Sequence, residues 1–268
     1  MEKHNFFAHY IAGLWEGDGH ADRKHQKYIA FTFHHKNLPL VHAIQHRLGG
    51  TIRHKQREHA VVLTLRKKET IDRFFSLIHN KLRTPKHADL QAFPQCPGHR
   101  DRSSPLTNAW FAGFFDADGS FHIRYTKERR DPRTTKIQTK HRIALRWSLE
   151  QRKWHPKTHE SFLPLMETLG SCFELPVYER KHGTQTYWCL EMSSLKKMKA
   201  VIEYFDRFPL LSSKFLEYQD WKHVYVLLCQ HQHLNDAGKA KILALKHGMN
   251  RNRRFFDWTH LPAEGFDG

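Results

Sequence analysis

No apolar run in this chain approaches the roughly 20 residues that a membrane-spanning helix requires. The N-terminus, MEKHNFFAHY, lacks the apolar core and cleavage site of a secretory signal. These absences point away from a membrane partner and away from secretion. Cysteine is scarce: Cys96, Cys172, Cys189 and Cys229 stand apart, with no CxxC pair. That argues against a zinc module and a disulfide framework and favours a reducing compartment. Acidic residues are short too, 27 against 44 Lys and Arg, which leaves +17 before any of the 23 histidines takes a proton. A compact fold with such an excess repels itself, so a polyanionic partner is expected. Nucleic acid fits better than an anionic membrane surface, because the basic residues are spread over strand-like and loop-like segments and do not line one face of an amphipathic helix.

What the sequence does contain is a repeat. IAGLWEGDGH at 11–20 superposes without a gap on FAGFFDADGS at 111–120, an offset of one hundred residues. Ala12 and Gly13 match Ala112 and Gly113, Glu16 matches Asp116, Asp18 matches Asp118, and Gly19 matches Gly119. The segments that follow repeat as well. In the first half, 27–36 alternates as a strand, and 37–50 reads as a helix with Asn37 as N-cap and Gly49 past its last leucine. Two strands about a polar turn (51–68) and an amphipathic helix (69–82) complete that half. In the second half the same order falls on 141–152, 160–170, the hairpin 172–194 and 194–208, with a basic hairpin insertion at 125–142. The expected class is α+β, two tandem αββαββα repeats related by a pseudo-two-fold axis. The units are 1–92 and 107–228, joined by a Pro- and Ser-rich linker at 93–106 and followed by a basic extension at 229–268 with a short helix.

The motif chemistry follows from treating each copy as a helix end. Ala12, Gly13, Ala112 and Gly113 carry almost no side chain, so the two helices can cross backbone to backbone. Gly19 and Gly119 are expected to stop them in the left-handed conformation. Asp18 and Asp118 then sit at two abutting C-termini, where a negative charge is disfavoured by roughly 0.3–1 kcal/mol and each repels the other. A hard divalent cation with oxygen ligands offsets both costs, and Mg²⁺ binds through one or two carboxylates plus phosphate and water oxygens. With a basic chain and a phosphodiester, this spells metal-assisted phosphate hydrolysis.

The two stretches resemble the LAGLIDADG motifs of single-chain homing endonucleases with two repeats; the first copy departs from the pattern at Trp15-Glu16-Gly17. The resemblance covers nearly the whole chain and implies a monomer whose two saddle-shaped antiparallel sheets straddle double-stranded DNA. It implies that Asp18 and Asp118 bind the metal with the backbone at Gly17 and Ala117, each facing one scissile phosphate, while Glu16 and Asp116 satisfy backbone donors. The aligned segments 81–93 and 209–221, both taken as third helices, bring Lys86 and Lys214 to the site as cations for phosphate charge. His35 and Gln151 fall where the family often has a glutamine organising metal-bound water; His35 departs from that pattern, which implies unequal half-sites. Arg53, Lys55, Arg66, Arg124, Arg142, Arg146, Arg180 and Lys181 stand in polar registers of the strands as contacts to base edges or phosphates. Implied cofactors are Mg²⁺, Mn²⁺ as a substitute, and Ca²⁺ as a metal that supports binding without cleavage. His42 and His46, spaced as i and i+4, have no further ligand in sight for zinc.

Three functions are compatible with such a chain. A DNA endonuclease making a double-strand break with 3′ overhangs needs both acids. An RNA maturase acting on its host intron, or a DNA-binding regulator, does not. Retention of Asp18 and Asp118 favours cleavage. The absence of intein splice-junction residues favours an intron-encoded or free-standing origin, in an organelle (mitochondrion or chloroplast) or a prokaryotic cytoplasm.

Overall fold

The computed structural model describes residues 3–22, 27–96 and 98–261. The first half runs α1 (Lys3–Asp18), β1 (Gly19–Asp22), β2 (Tyr28–His34), α2 (Leu38–Leu48), β3 (Thr51–Lys55), β4 (Ala60–Leu65) and α3 (Lys68–Ile78). The second repeats the order as α4 (Trp110–Asp118), β5 (Gly119–Thr126), the small hairpin β6 (Arg129–Arg130) and β7 (Ile137–Thr139), β8 (Arg142–Arg152), α5 (Leu163–Phe173), β9 (Tyr178–His182), β10 (Gln185–Met192) and α6 (Met198–Arg207). Two further helices, α7 (Lys214–Cys229) and α8 (Asp236–Gly248), follow. The αββαββα order therefore holds in both halves. Their antiparallel sheets have matching strand orders, β1-β2-β4-β3 and β5-β8-β10-β9, with the β6–β7 hairpin apart in the basic insertion.

Alternation builds these sheets. In β8, Leu145, Trp147 and Leu149 are buried against the helices, while Arg146 and Glu150 point the other way. Phe111, Phe115, Phe121 and Phe205 pack ring on ring over Trp147, with Phe115 and Phe121 5.0 Å apart between centroids. No helix among the described residues is long and apolar enough to cross a membrane.

Several local expectations are corrected. Gly19 and Gly119 are not left-handed: neither has a positive φ, Gly119 lies at φ −83 and ψ 163, and both open a strand. They are small because a β-carbon would enter the ring of Trp15 or Phe115, four residues earlier. Asn37 makes no side-chain cap on α2; its Oδ1 instead accepts the N–H of Ser213 at 3.0 Å and ties the halves together. α5 does not end at Gly170 but continues to Phe173 and closes on Glu174 at φ 53. The segment 81–93 holds no third helix, only a short 3-10 turn at Pro85–Asp89, whereas its counterpart becomes the 16-residue α7. Pro85 offers no N–H, and the N–H groups of Arg83 and Thr84 are committed to Glu16.

The linker has neither helix nor strand among its described residues, yet it is not a loose tether. The Asp101 N–H donates to Leu82 O at 2.8 Å, and the Asp101 carboxylate pairs with the buried Arg83 guanidinium at 2.5 Å. The basic end of the tail also turns inward. Glu217 of α7, only 3% exposed, accepts from the Asn250 N–H at 2.7 Å and from Arg253 Nε at 3.0 Å, and Arg253 also reaches Asp220. Breaking a buried pair leaves an uncompensated charge, so Arg253→Ala is expected to cost roughly 2–3 kcal/mol in urea unfolding. A variant within 0.5 kcal/mol of the parent, the usual range of a surface change, would mean that the tail does not hold α7.

Candidate active site

α1 and α4 meet at their small residues. Ala12 and Ala112 are fully buried. A β-carbon on Gly13 would fall on the Trp110 carbonyl oxygen and 2.8 Å from Phe114 N; one on Gly113 would fall on the Tyr10 carbonyl oxygen and 2.8 Å from Leu14 N. Positions 10 and 110 are themselves one repeat apart, so each glycine meets the symmetric partner of what the other meets. Their side chains then cross the interface. Tyr10 Oη donates to Asp116 Oδ2 at 2.7 Å, and Trp110 Nε1 donates to Glu16 Oε2 at 2.8 Å. Sequence reasoning missed this pair, although an aromatic donor recurring at the repeat spacing was a usable signal.

Glu16 and Asp116 serve the scaffold. Glu16 accepts from the Arg83 and Thr84 N–H groups at 2.9 and 2.6 Å, and Asp116 from Leu211 N and Ser212 N at 2.7 and 3.0 Å and from Ser212 Oγ. Each therefore docks, on its own motif helix, the segment that carries that half's lysine.

Those lysines close the helix ends. Lys86 Nζ donates to Gly17 O at 2.7 Å and Glu16 O at 3.2 Å; Lys214 Nζ donates to Asp116 O at 2.7 Å and Phe115 O at 2.8 Å, with Ala117 O at 3.4 Å. A cation on the last carbonyls of a helix opposes its partial negative charge. The structure thus brings Lys86 and Lys214 to the helix ends that carry Asp18 and Asp118, where they hold carbonyls that include those of Gly17 and Ala117.

The two acids come together where the helices touch: a β-carbon on Gly17 would lie against Ala117 Cβ and 3.0 Å from Asp118 Oδ2. Burial, then repulsion from Asp118, pushes the Asp18 carboxyl up to about 7, against the pull of Lys214 and Lys86. Burial also raises Asp118, opposed by the Gln151 amide, which donates to its Oδ2 at 2.5 Å, and by both lysines. Burial lowers Lys86 to about 8, although Asp118 and Asp18 favour its charge. A half-buried pair of reluctant carboxylates suits a divalent cation. Among the described residues no three His, Cys, Asp or Glu side chains cluster to hold a metal; the donors the helix ends offer are the Asp18 and Asp118 carboxylates, which phosphate and water oxygens would have to complete. That set fits Mg²⁺ and does not fit zinc.

His35 does not join this cluster. Gly19 pairs with Phe31 and Gly119 with Leu149, so Phe33 is the counterpart of Gln151. His35 lies just beyond β2, exposed, with its ring 4.7 Å from His34 and 5.8 Å from His59. Asp118 has an amide partner; the equivalent position beside Asp18 is apolar. His42 and His46 are exposed on α2.

Most of the basic residues anticipated for DNA share the sheet faces turned away from the helices. Arg53 and Lys55 pair with Val62 and Ala60, out of step with the core positions Val61, Leu63 and Leu65, and Arg66 lies over the Tyr28 ring at 5.1 Å. Arg124, Arg142 and Arg146 alternate with Ile123, Leu145 and Trp147. Arg180 faces out with Tyr187, so its neighbour Lys181 points to the other side and does not share that face.

Comparison with known proteins agrees with this geometry. The family model described as LAGLIDADG endonuclease matches residues 11–96 and 111–225. The cox1 intron-2 37.2 kDa protein of Schizosaccharomyces pombe is 31% identical over 250 residues, covering 88% of this chain and 70% of that protein. Intron-encoded DNA endonuclease aI3 of Saccharomyces cerevisiae is 24% identical, covering 94% of this chain and 71% of that one. Among solved structures, the I-LtrWI LAGLIDADG homing endonuclease bound to target DNA superposes with a TM-score of 0.69 at 18% identity, covering 93% of this chain and 99% of that one. With both motifs inside the matched segments, the chain belongs to the LAGLIDADG endonuclease family.

Proposed function

We propose that this DNA endonuclease cuts both strands of a long asymmetric duplex, one phosphodiester per motif acid, by metal-assisted attack of water, and leaves 3′ overhangs. The observation that carries it is the meeting of Asp18 and Asp118 at two abutting helix ends, both raised by burial, with a lysine on each side. Asp18 and Asp118 would hold Mg²⁺, which supplies charge neutralisation at the phosphate and an acidified water when bound. Gln151 orients Asp118. Lys86 and Lys214 keep the helix ends neutral and present positive charge to the phosphate. The outward sheet faces, charged by Arg53, Lys55, Arg124, Arg142 and Arg146, straddle the DNA as a monomer, and residues 1–92 and 107–228 each take one half-site. The intron-encoded relatives support an intron origin, and an organelle is the proposed home.

Cleavage of a randomised duplex library with Mg²⁺, beside selection of bound duplex in Ca²⁺, tests this. Defined ends at one long site are expected. Selective binding without a cut in Mg²⁺ or Mn²⁺ would leave a regulator; no selective binding would turn attention to intron RNA. The acids also set a pH profile. Metal binding requires deprotonated carboxylates, so kcat/KM at limiting Mg²⁺ is expected to rise through about pH 7 as Asp18 loses its proton, and to fall above about 8 as Lys86 loses its charge. A flat profile from pH 6 to 9 would remove both groups from the chemistry.

A further inference from the structure

The two outward faces are not alike. In the first sheet Arg53 and Lys55 stand in the open register, and Lys55 pairs with the turn residue Glu58. In the second sheet two carboxylates sit among the cations. Glu191 Oε2 accepts from Arg180 Nη2 at 2.6 Å, from Arg146 Nη1 at 3.1 Å and from Tyr178 Oη at 3.1 Å. Glu150 takes the other Arg180 nitrogen, Nη1, and His182 Nε2 at 2.8 Å. Arg180 Nη2 also reaches Tyr178 Oη at 2.6 Å. Arg146 and Glu150 of β8, Glu191 of β10 and Tyr178, Arg180 and His182 of β9 share one face by register, so three strands contribute to one network. Although burial opposes it, Arg180, Arg146 and Tyr178 hold the Glu191 carboxyl below its ordinary value, and the acid is charged at neutral pH.

Such a lattice is costly on a surface meant only to attract phosphate, since each carboxylate cancels a positive charge. It makes sense on a surface meant to discriminate. A guanidinium free to swing finds a phosphate or either base; one held by a carboxylate on one edge offers its remaining N–H groups in one direction. We propose that Glu191 is a positioning residue for sequence recognition: braced by Arg180, whose two terminal nitrogens are taken up by Glu150, Glu191 and Tyr178, it fixes Arg146 through Nη1 alone and turns the remaining N–H groups of Arg146 to read a guanine edge under the second sheet, so that this half-site is the more stringently read. This rests on the DNA-endonuclease function proposed above.

The test compares wild type, Glu191→Gln and Arg53→Ala in duplex-library selection with Ca²⁺, over a range of salt. Glu191→Gln is expected to lower discrimination on the order of tenfold at positions under the second sheet only. It should also tighten binding to non-specific duplex and steepen its log K–log salt slope by about one, because a phosphate-seeking charge is freed. Arg53→Ala should weaken binding through the first half-site without changing selectivity in the second. A selective wild type with an unchanged Glu191→Gln profile, at matched melting temperature, overturns the assignment alone. Loss of selectivity at both half-sites together would reduce Glu191 to a structural role and overturn it too. A wild type that selects no sequence removes the proposed function and this assignment with it. Tyr178→Phe, which keeps both arginine contacts to Glu191, is expected to retain selectivity; its collapse would place the determinant on the tyrosine and count against the proposal.

Discussion

Asp118→Asn is expected to lower cleavage at least about a thousandfold while leaving duplex binding in Ca²⁺ within severalfold, and Asp18→Asn to do the same. The substitution is isosteric, and the asparagine oxygen can still accept from Gln151, so the helix ends keep their shape and only the charge is lost. The same change has a second consequence, of opposite sign. Asp18 titrates at about 7 in the folded state against an ordinary 3.8. A raised carboxyl stabilises the fold below its unfolded pKa, and that stability is lost as pH rises through the folded value. The metal-free protein should therefore lose stability between about pH 4 and 7. Asp18→Asn carries no such penalty and should be more stable than the parent at pH 8 by roughly 1–3 kcal/mol, the full shift being reduced by solvent at a group that is not fully buried. At pH 4 the two should match. Mg²⁺ should raise the melting temperature of the parent at pH 8 and leave the variant unmoved. Wild-type cutting by either variant, or the same Mg²⁺ response from both proteins, would take the acids out of the metal site.

The motif was legible because it recurs at one offset, so chance resemblance at one copy is checked by the other. Asp18 with Asp118, and Gly13 with Gly113, were placed that way, as were the strands whose alternation is strong, β8 above all. What pairing decides was hidden. Phe33 and His35 are two residues apart, and only the partners of Gly19 and Gly119 show which one matches Gln151. Arg180 and Lys181 look equally suited to DNA in sequence, yet adjacent strand residues face opposite ways. Tertiary commitments were hidden as well: nothing local tells that Asn37 serves Ser213 in place of its own helix, or that the carbonyls of α1 and α4 need Lys86 and Lys214.

Gly113→Ala should be severely damaging for a single added methyl. Helix propensity alone favours alanine over glycine by about 1 kcal/mol, so an isolated helix would gain from the change. Here the added β-carbon has no soft neighbour to displace: it meets the Tyr10 carbonyl oxygen and lies 2.8 Å from the Leu14 nitrogen, both backbone atoms of α1. Relief requires the helices to part, and parting them stretches the Tyr10–Asp116 and Trp110–Glu16 hydrogen bonds that cross the same interface. Overpacking costs typically 1–3 kcal/mol where side chains yield. With only backbone to yield and two buried carboxylates losing donors, a net loss of about 4 kcal/mol or more is expected in chemical denaturation. Gly13→Ala should behave alike, since its β-carbon meets the Trp110 carbonyl. Gly183→Ala supplies the contrast. That glycine turns the β9–β10 hairpin at φ 59 with open space around it, so the cost there is backbone strain alone, roughly 1 kcal/mol. If Gly113→Ala proves no worse than Gly183→Ala, the two motif helices are not in backbone contact, and the site that depends on their crossing is misplaced.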